Sequence, residues 1–79
     1  MDILNEISKQ LRLGEDEKVL SLTKQAVARN VHPKTILDDG LISGMNAVGE
    51  AFRKHEIFLP EVLMAAKAMY AGLDELRPL

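Results

Sequence analysis

Apolar side chains recur every three or four residues in four successive segments of this 79-residue chain. Such spacing is typical of amphipathic α-helices. The segments run from Asp2 to Gly14, from Glu15 to Asn30, from 33 to 54 and from Pro60 to Pro78. Because the connections between them are short, consecutive helices should run antiparallel. The sequence therefore predicts an all-α domain over residues 1–79, a small antiparallel four-helix bundle.

Several classes of protein conflict with the composition. The only aromatic residues are Phe52, Phe58 and Tyr70, which disfavours a β-sandwich or barrel. A formal net charge of −2 argues against a nucleic-acid-binding protein, and the lack of cysteine excludes a disulfide scaffold. The sequence shows no export signal and no apolar run long enough to span a membrane, so we expect a cytoplasmic protein.

The third segment combines a large apolar face with a line of small residues. At 100° per residue, one arc of the helix carries Leu37, Leu41, Met45, Val48 and Phe52. Beside that arc lie Gly40, Gly44, Ala47 and Ala51. Each glycine inside a helix costs about 1 kcal/mol relative to alanine, so the glycines need a compensating role. Two interpretations remain open: close approach of another helix, or space for a flat ligand or a partner backbone.

The connection before the last helix is unusually apolar. Ile57, Phe58 and Leu59 follow one another where a polar loop is expected. Together with Phe52 and Val62, this segment could close one end of the bundle, with Leu59 acting as a hydrophobic staple. The alternative is that these side chains form an apolar surface for a ligand or partner.

Candidates for catalysis are poor. His32 and His55 lie in separate loops without a further ligand at metal-binding spacing, and Asp38 and Asp39 are neighbours that point in different directions on a helix. The sequence contains no glycine-rich phosphate loop. We therefore predict that the chain is not an enzyme by itself, with no catalytic residue and no metal ligand.

Two stretches give the sequence a specific resemblance. They read GLxxGMxxVGxxF at 40–52 and IFLPEV at 57–62, and similarity continues through Ala65-Ala66 and Ala68-Met69 to Leu76-x-Pro78. This pattern closely resembles the helical cap domain of methyltransferase corrinoid proteins, the module that also precedes the cobalamin domain of cobalamin-dependent methionine synthase. The resemblance covers essentially the whole chain.

The resemblance implies a role in methyl transfer. In this family the bundle covers the upper face of a corrinoid (cobalamin) held by a following Rossmann-like domain, and it moves aside for methyltransferase partners. Residues that pack on the corrinoid correspond to Phe52, Leu59 and Val62. Gly44, in the line of small residues, and its neighbour Met45 complete the candidate cofactor-binding set. The implied partners are the Rossmann-like domain, a substrate methyltransferase and a corrinoid-to-acceptor methyltransferase.

One feature of the family is missing from the chain, and two alternatives stay open. The cobalt-ligating motif Asp-x-His-x-x-Gly, which belongs to the following domain, is absent, so we expect an N-terminal piece of a longer corrinoid protein. One alternative is an interaction or dimerisation module that associates through Phe58, Leu59 and Met64. The other is the cap of a cobalamin-dependent sensor, which the lack of tryptophan and of a Glu-His step disfavours.

Overall fold

Four antiparallel helices form the bundle that the sequence predicts, in a computed structural model that describes residues 2–78. Helix α1 spans Ile3–Arg12 and α2 spans Asp16–Ala28. Helix α3 is continuous but has three parts, Pro33–Thr35, Ile36–Ile42 and Ser43–Arg53. Helix α4 spans Leu59–Leu76. The bundle measures 37 × 20 × 18 Å, and its two most extensive contacts join α1 to α3 and α2 to α4.

Helix starts follow the capping expected from the sequence. The Asp2 carboxylate accepts a hydrogen bond from the backbone N–H of Leu4 at 2.9 Å. Pro33 is the first residue of α3, where its missing N–H costs nothing. Glu61 in the first turn of α4 accepts a hydrogen bond from the backbone N–H of Phe58 at 3.1 Å. Local sequence therefore sets where these helices begin.

Each of the first three helices ends in a Schellman motif. The residue in the left-handed conformation is Gly14 after α1, Asn30 after α2 and His55 after α3, with φ values of 75°, 64° and 63°. In all three cases its N–H and the next N–H bond back to carbonyls in the last turn of the helix. The prediction of a left-handed Gly14 is confirmed, whereas His55 was not predicted in this role.

The core is aliphatic and lies between all four helices. Its fully buried side chains include Ile7, Leu11, Val19, Ile36 and Leu41. Thr23 is also fully buried, and its hydroxyl donates a hydrogen bond to the Val19 carbonyl at 2.7 Å. The buried hydroxyl is therefore satisfied within its own helix.

Glycines permit close helix contacts at three positions. A β-carbon on Gly40 would lie 3.2 Å from Cγ2 of Ile7, and one on Gly44 would lie 3.1 Å from the Ser8 carbonyl oxygen. In α4, the side chain of Leu41 occupies the space that a β-carbon on Gly72 would need. The interpretation that Gly40 and Gly44 serve close approach of a helix is thus confirmed, and the helix is α1.

The middle of α3 departs from the regular helix predicted for residues 33–54. Residues Ile36–Ile42 form a π-helix, with hydrogen bonds from residue i to i−5. The wider turn brings Ile36 and Leu41, five residues apart, onto the same buried face. A fixed step of 100° per residue cannot reproduce this register, and so Ile36 was missing from the predicted apolar arc.

Candidate functional site

The site predicted from the sequence lies at the end of the bundle where α3 passes into α4. Phe52 is in the last turn of α3, and Leu59 is the first residue of α4, after the five-residue connection 54–58. The side chains of Phe52, Phe58 and Leu59 are 44%, 69% and 56% exposed. These three residues are called the apolar end below. Phe52 and Leu59 are therefore not the buried plugs of the alternative interpretation.

Hydrogen bonds at both ends and the packing of Ile57 hold the connection in place. The N–H of His55 donates to the carbonyl of Phe52 at 3.0 Å, and that of Glu56 donates to the carbonyl of Ala51 at 2.9 Å. On the α4 side, the N–H of Phe58 is held by Glu61. Ile57 is half-buried and packs against the core. Because the loop anchors through its backbone and Ile57, the side chains of the apolar end are left free to contact another molecule.

The other three predicted cofactor contacts lie deeper in the bundle. Val62 is one turn beyond Leu59, is half-buried and packs against the core. Met45, two turns before Phe52, is also half-buried against the core. Gly44 is buried under α1, with Leu11 and Ser8 filling the space beside it. Phe52 and Leu59 are thus both exposed, one on each side of the α3–α4 connection, and Gly44 serves helix packing.

The line of small residues in α3 divides into a covered and an open part. Gly40 and Gly44 lie under α1, as described above, whereas Ala47 and Ala51 line a depression that is open to solvent. Arg12, Glu56 and Ile57 also contribute to this depression. Two residues of this depression, Ala51 and Ile57, directly precede Phe52 and Phe58 in the sequence.

Several charged side chains lie at the C-terminal end of α3, near the apolar end. Glu50 pairs with Arg53 in the same helix and lies 3.8 Å from the Lys54 ammonium nitrogen. All three side chains are well exposed, so these pairs contribute little to stability. Within residues 2–78, no group of three or more histidine, aspartate or glutamate side chains is arranged to hold a metal ion.

Exposed apolar side chains continue along α4 beyond the apolar end. Leu63 and Met64 are 60% and 54% exposed, and Leu13 at the end of α1 is 60% exposed. A β-carbon on Gly14 would lie 3.0 Å from Cβ of Met64, so the α1–α2 turn borders this part of α4. Leu13, Leu63 and Met64 are called the apolar flank. Met64 was predicted as part of an association surface and the two leucines were not, although Leu63 follows Leu59 at the helical spacing of four.

No helix among the described residues is both long and apolar enough to cross a membrane.

Comparison with known proteins connects this geometry to a family. A family model described as a B12 binding domain matches residues 3–77. The chain is 36% identical over 78 residues to the dimethylamine corrinoid protein of Methanosarcina barkeri. This alignment covers 99% of the chain and 36% of that protein. The chain is also 39% identical over 64 residues to trimethylamine corrinoid protein 1 of Methanosarcina mazei. This alignment covers 81% of the chain and 30% of that protein.

A solved structure shows the same fold. The Methanosarcina barkeri monomethylamine corrinoid protein superposes with a TM-score of 0.93 and 33% identity, over 96% of this chain and 36% of that one. The chain thus spans about a third of the length of these relatives. The resemblance to the helical domain of corrinoid proteins is confirmed: this chain belongs to the B12-binding domain family.

Proposed function

We propose that this chain is the helical cap of a corrinoid protein in methyl transfer, and that its apolar end covers the upper face of the corrinoid. The cofactor itself would be held mainly by a following Rossmann-like domain. Family membership and the names of the relatives support a corrinoid as the cofactor. The chain corresponds to about a third of each relative, which agrees with a division of labour between a cap and a binding domain.

The observation that carries the proposal is the exposure of Phe52 and Leu59 on either side of a connection whose two ends are held by hydrogen bonds. A small domain gains about 25 cal/mol for each Å² of apolar surface that it buries. This chain leaves large apolar side chains in water at one end. A flat, largely apolar partner would bury that surface.

The residues of the apolar end suit a protective role. A bound corrinoid supplies a cobalt centre that accepts and donates a methyl group. Phenyl and isobutyl groups contain no atom that could ligate the metal, and they exclude water and competing ligands from the reactive face. Val62 and Met45 would support the contact from the half-buried layer behind it, and Gly44 would act by fixing α3 against α1.

The proposed partners follow from this role. A cap that covers the reactive face must move aside when a methyltransferase approaches, first to load and then to unload the methyl group. The chain itself performs no bond-breaking step in this scheme. Its contribution is to bind, cover and release the face of the cofactor, while the methyltransferases supply the catalytic groups.

A second candidate function is self-association, and the apolar flank favours it. Leu13, Leu63 and Met64 form an additional exposed surface, which could pair with a second copy of the chain. Sedimentation of the chain with and without a Leu63→Ser, Met64→Ser double substitution separates the two functions. Loss of a dimer in the double variant would support self-association through the flank, whereas a monomer in both would leave only the cap function.

The test of the cap function uses the chain fused to the corrinoid-binding region of the Methanosarcina barkeri dimethylamine corrinoid protein and loaded with methylcobalamin. Phe52→Ala and Leu59→Ala should speed the loss of the methyl–cobalt absorbance in light and air. Leu63→Ala is the matched control, because Leu63 is equally exposed but lies one turn further along α4. Equal rates in all variants, with the fold intact by circular dichroism, would contradict the proposal.

A further inference from the structure

Gly49 is the one glycine in the described helices that no packing contact explains. Gly40 and Gly44 lie beneath α1, and Gly72 faces Leu41, whereas nothing lies within 4 Å of a β-carbon placed on Gly49. A glycine inside a helix is destabilising relative to alanine. The fold of this chain alone therefore gives no reason for a glycine at this position.

Gly49 belongs to an uncharged line of residues on the outer side of α3. At 100° per residue, Ile42, Met45 and Gly49 share one side of this helix. They lie beyond Val48 as seen from Gly44, which faces α1. Ile42 is 38% exposed and Met45 is half-buried. The line thus has the three-four spacing of an apolar helix face, but no helix of the bundle covers it.

A second uncharged line runs along α4. Leu63, Ala66 and Tyr70 follow one another at spacings of three and four. Leu63 and Tyr70 are 60% and 56% exposed. Met64, on the other flank of α4, borders the α1–α2 turn, so the line lies on the flank that is closer to α3.

The contact between Leu41 and Gly72 sets the two lines level with each other. Because α3 and α4 are antiparallel, Gly49, eight residues after Leu41, is level with the turn 63–66 of α4. Ile42 is level with the turn that carries Tyr70 in the same way. The two lines therefore form one apolar surface about 10 Å long, or two helical turns. It is called the outer α3–α4 face and consists of Ile42, Met45, Gly49, Leu63, Ala66 and Tyr70.

We propose that the outer α3–α4 face binds an amphipathic α-helix of a second protein. The incoming helix presents uncharged apolar side chains at the same three-four spacing and places one of them over Gly49, as a knob enters a hole. Each of the other glycines in the described helices packs against a neighbouring helix in this way. Gly49 extends the same mode of packing to the outside of the bundle.

The exposed apolar area favours a single helix over a second copy of this chain. The large side chains Ile42, Leu63 and Tyr70 offer on the order of 100 Å² each. Each subunit of a stable dimer buries about 800 Å². A two-turn surface of this size fits one helix laid between α3 and α4, and it predicts weak, reversible binding.

The test uses the free chain and a phage-displayed library of three-heptad helices whose a and d positions vary over aliphatic and aromatic residues. Helices that also bind a Tyr70→Lys variant are removed during selection. Calorimetry with synthetic peptides of the enriched sequences should give micromolar affinities for the natural chain. Neither Gly49 nor Tyr70 is a proposed cofactor contact, so helix binding and corrinoid binding are tested separately.

Gly49→Leu separates binding from stability. Leucine fills the space through which the incoming helix approaches, so the affinity should fall about tenfold or more. The same change should raise the unfolding midpoint of the free chain by about 4–8 °C, because the position is open and leucine favours a helix. Met64→Lys is the matched control, since Met64 is 54% exposed on the other flank of α4, and it should leave the affinity unchanged.

Three results would overturn the proposal. One is a selection that enriches no helix. Another is equal affinity of the peptides for the natural chain and for the Gly49→Leu variant. The third is a dimer of the natural chain in sedimentation that Gly49→Leu dissociates, which would assign the outer α3–α4 face to a second copy of the chain.

Discussion

A β-carbon on Gly72 would lie 2.7 Å from Cδ2 and 3.0 Å from Cδ1 of Leu41. The Thr23 hydroxyl oxygen would lie 3.3 Å from the same point. Gly72 is therefore where α4 comes close enough to α3 and α2 for Leu41 to fill the centre of the bundle. Leu41 is fully buried, so a β-carbon added at Gly72 would force it to shift within the core.

The first prediction concerns this contact. Gly72→Ala should lower the free energy of unfolding, because overpacking costs about 1–3 kcal/mol while the gain in helix propensity is at most about 1 kcal/mol. Urea unfolding followed by circular dichroism measures the change. In a Leu41→Ala background the same substitution should become stabilising, because the clashing methyl groups are gone. Gly49→Ala is the control, since nothing lies within 4 Å of that position and only the propensity gain remains.

The second prediction concerns the contact between α3 and α1. Gly44→Leu should destabilise the chain by more than Gly72→Ala, because the added side chain meets the backbone of Ser8 as well as Leu11. A backbone carbonyl cannot turn away as a side chain can. Thermal melting of the variant is sufficient for the test. An increase in the midpoint would mean that this side of α3 is open, and would contradict the packing role assigned to Gly44.

The third prediction concerns the end of α3. His55 has a φ of 63°, a conformation that costs a residue with a β-carbon about 1 kcal/mol and costs glycine almost nothing. His55→Gly should therefore raise the free energy of unfolding by up to about 1 kcal/mol. Lys54→Gly, one residue earlier and with a φ of −84°, should have the opposite effect. Destabilisation by His55→Gly would show that the imidazole makes a contact that outweighs the backbone gain.

The fourth prediction separates exposed from structural residues at the apolar end. Phe52→Ala and Leu59→Ala should each lower the free energy of unfolding of the chain by less than about 1.5 kcal/mol, because both side chains are about half exposed. Leu41→Ala, at a fully buried leucine, should cost about 2–5 kcal/mol. If the first two variants lost as much stability as the third, Phe52 and Leu59 would be core residues, and their assignment to the cofactor would have to be withdrawn.

Periodicity and capping residues were enough to predict the four helices, since Asp2, Gly14 and Pro33 act locally and the apolar spacing needs no tertiary information. Features that depend on a neighbouring helix could not be predicted in the same way. The π-helix arises because Ile36 and Leu41 must both reach the core. Phe52 lies on the apolar arc but is exposed. The arc shows which face of the helix is apolar, but it does not show how far the neighbouring helices extend along that face. Nothing in the spacing around Gly72 indicates Leu41 as its neighbour.

The candidate site was predicted less completely. Its location followed from the apolar run Ile57–Leu59, which breaks the expected polarity of a loop, and from the resemblance to corrinoid proteins. Of the five residues, Phe52 and Leu59 are exposed, Val62 and Met45 are half-buried, and Gly44 lies beneath α1. Sequence spacing gives no measure of depth, and so it grouped residues from three different layers of the bundle.

The last prediction is that the chain alone binds cobalamin weakly. The motif Asp-x-His-x-x-Gly, which would supply a ligand from below the cofactor, is absent, and the apolar end offers one open face rather than an enclosed pocket. His32 is engaged in capping, because its Nδ1 accepts a hydrogen bond from the N–H of Lys34 at 3.1 Å.

Titration with hydroxocobalamin, followed by absorbance and calorimetry, should therefore show no saturation at micromolar concentrations and no spectral change from replacement of an axial ligand. The fusion to the corrinoid-binding region of the relative serves as the positive control. A submicromolar complex with an altered spectrum would contradict the prediction, and its loss in either His32→Ala or His55→Ala would identify the imidazole responsible. Because the cap would then hold the metal as well as cover it, such a result would also overturn the division between a covering domain and a binding domain.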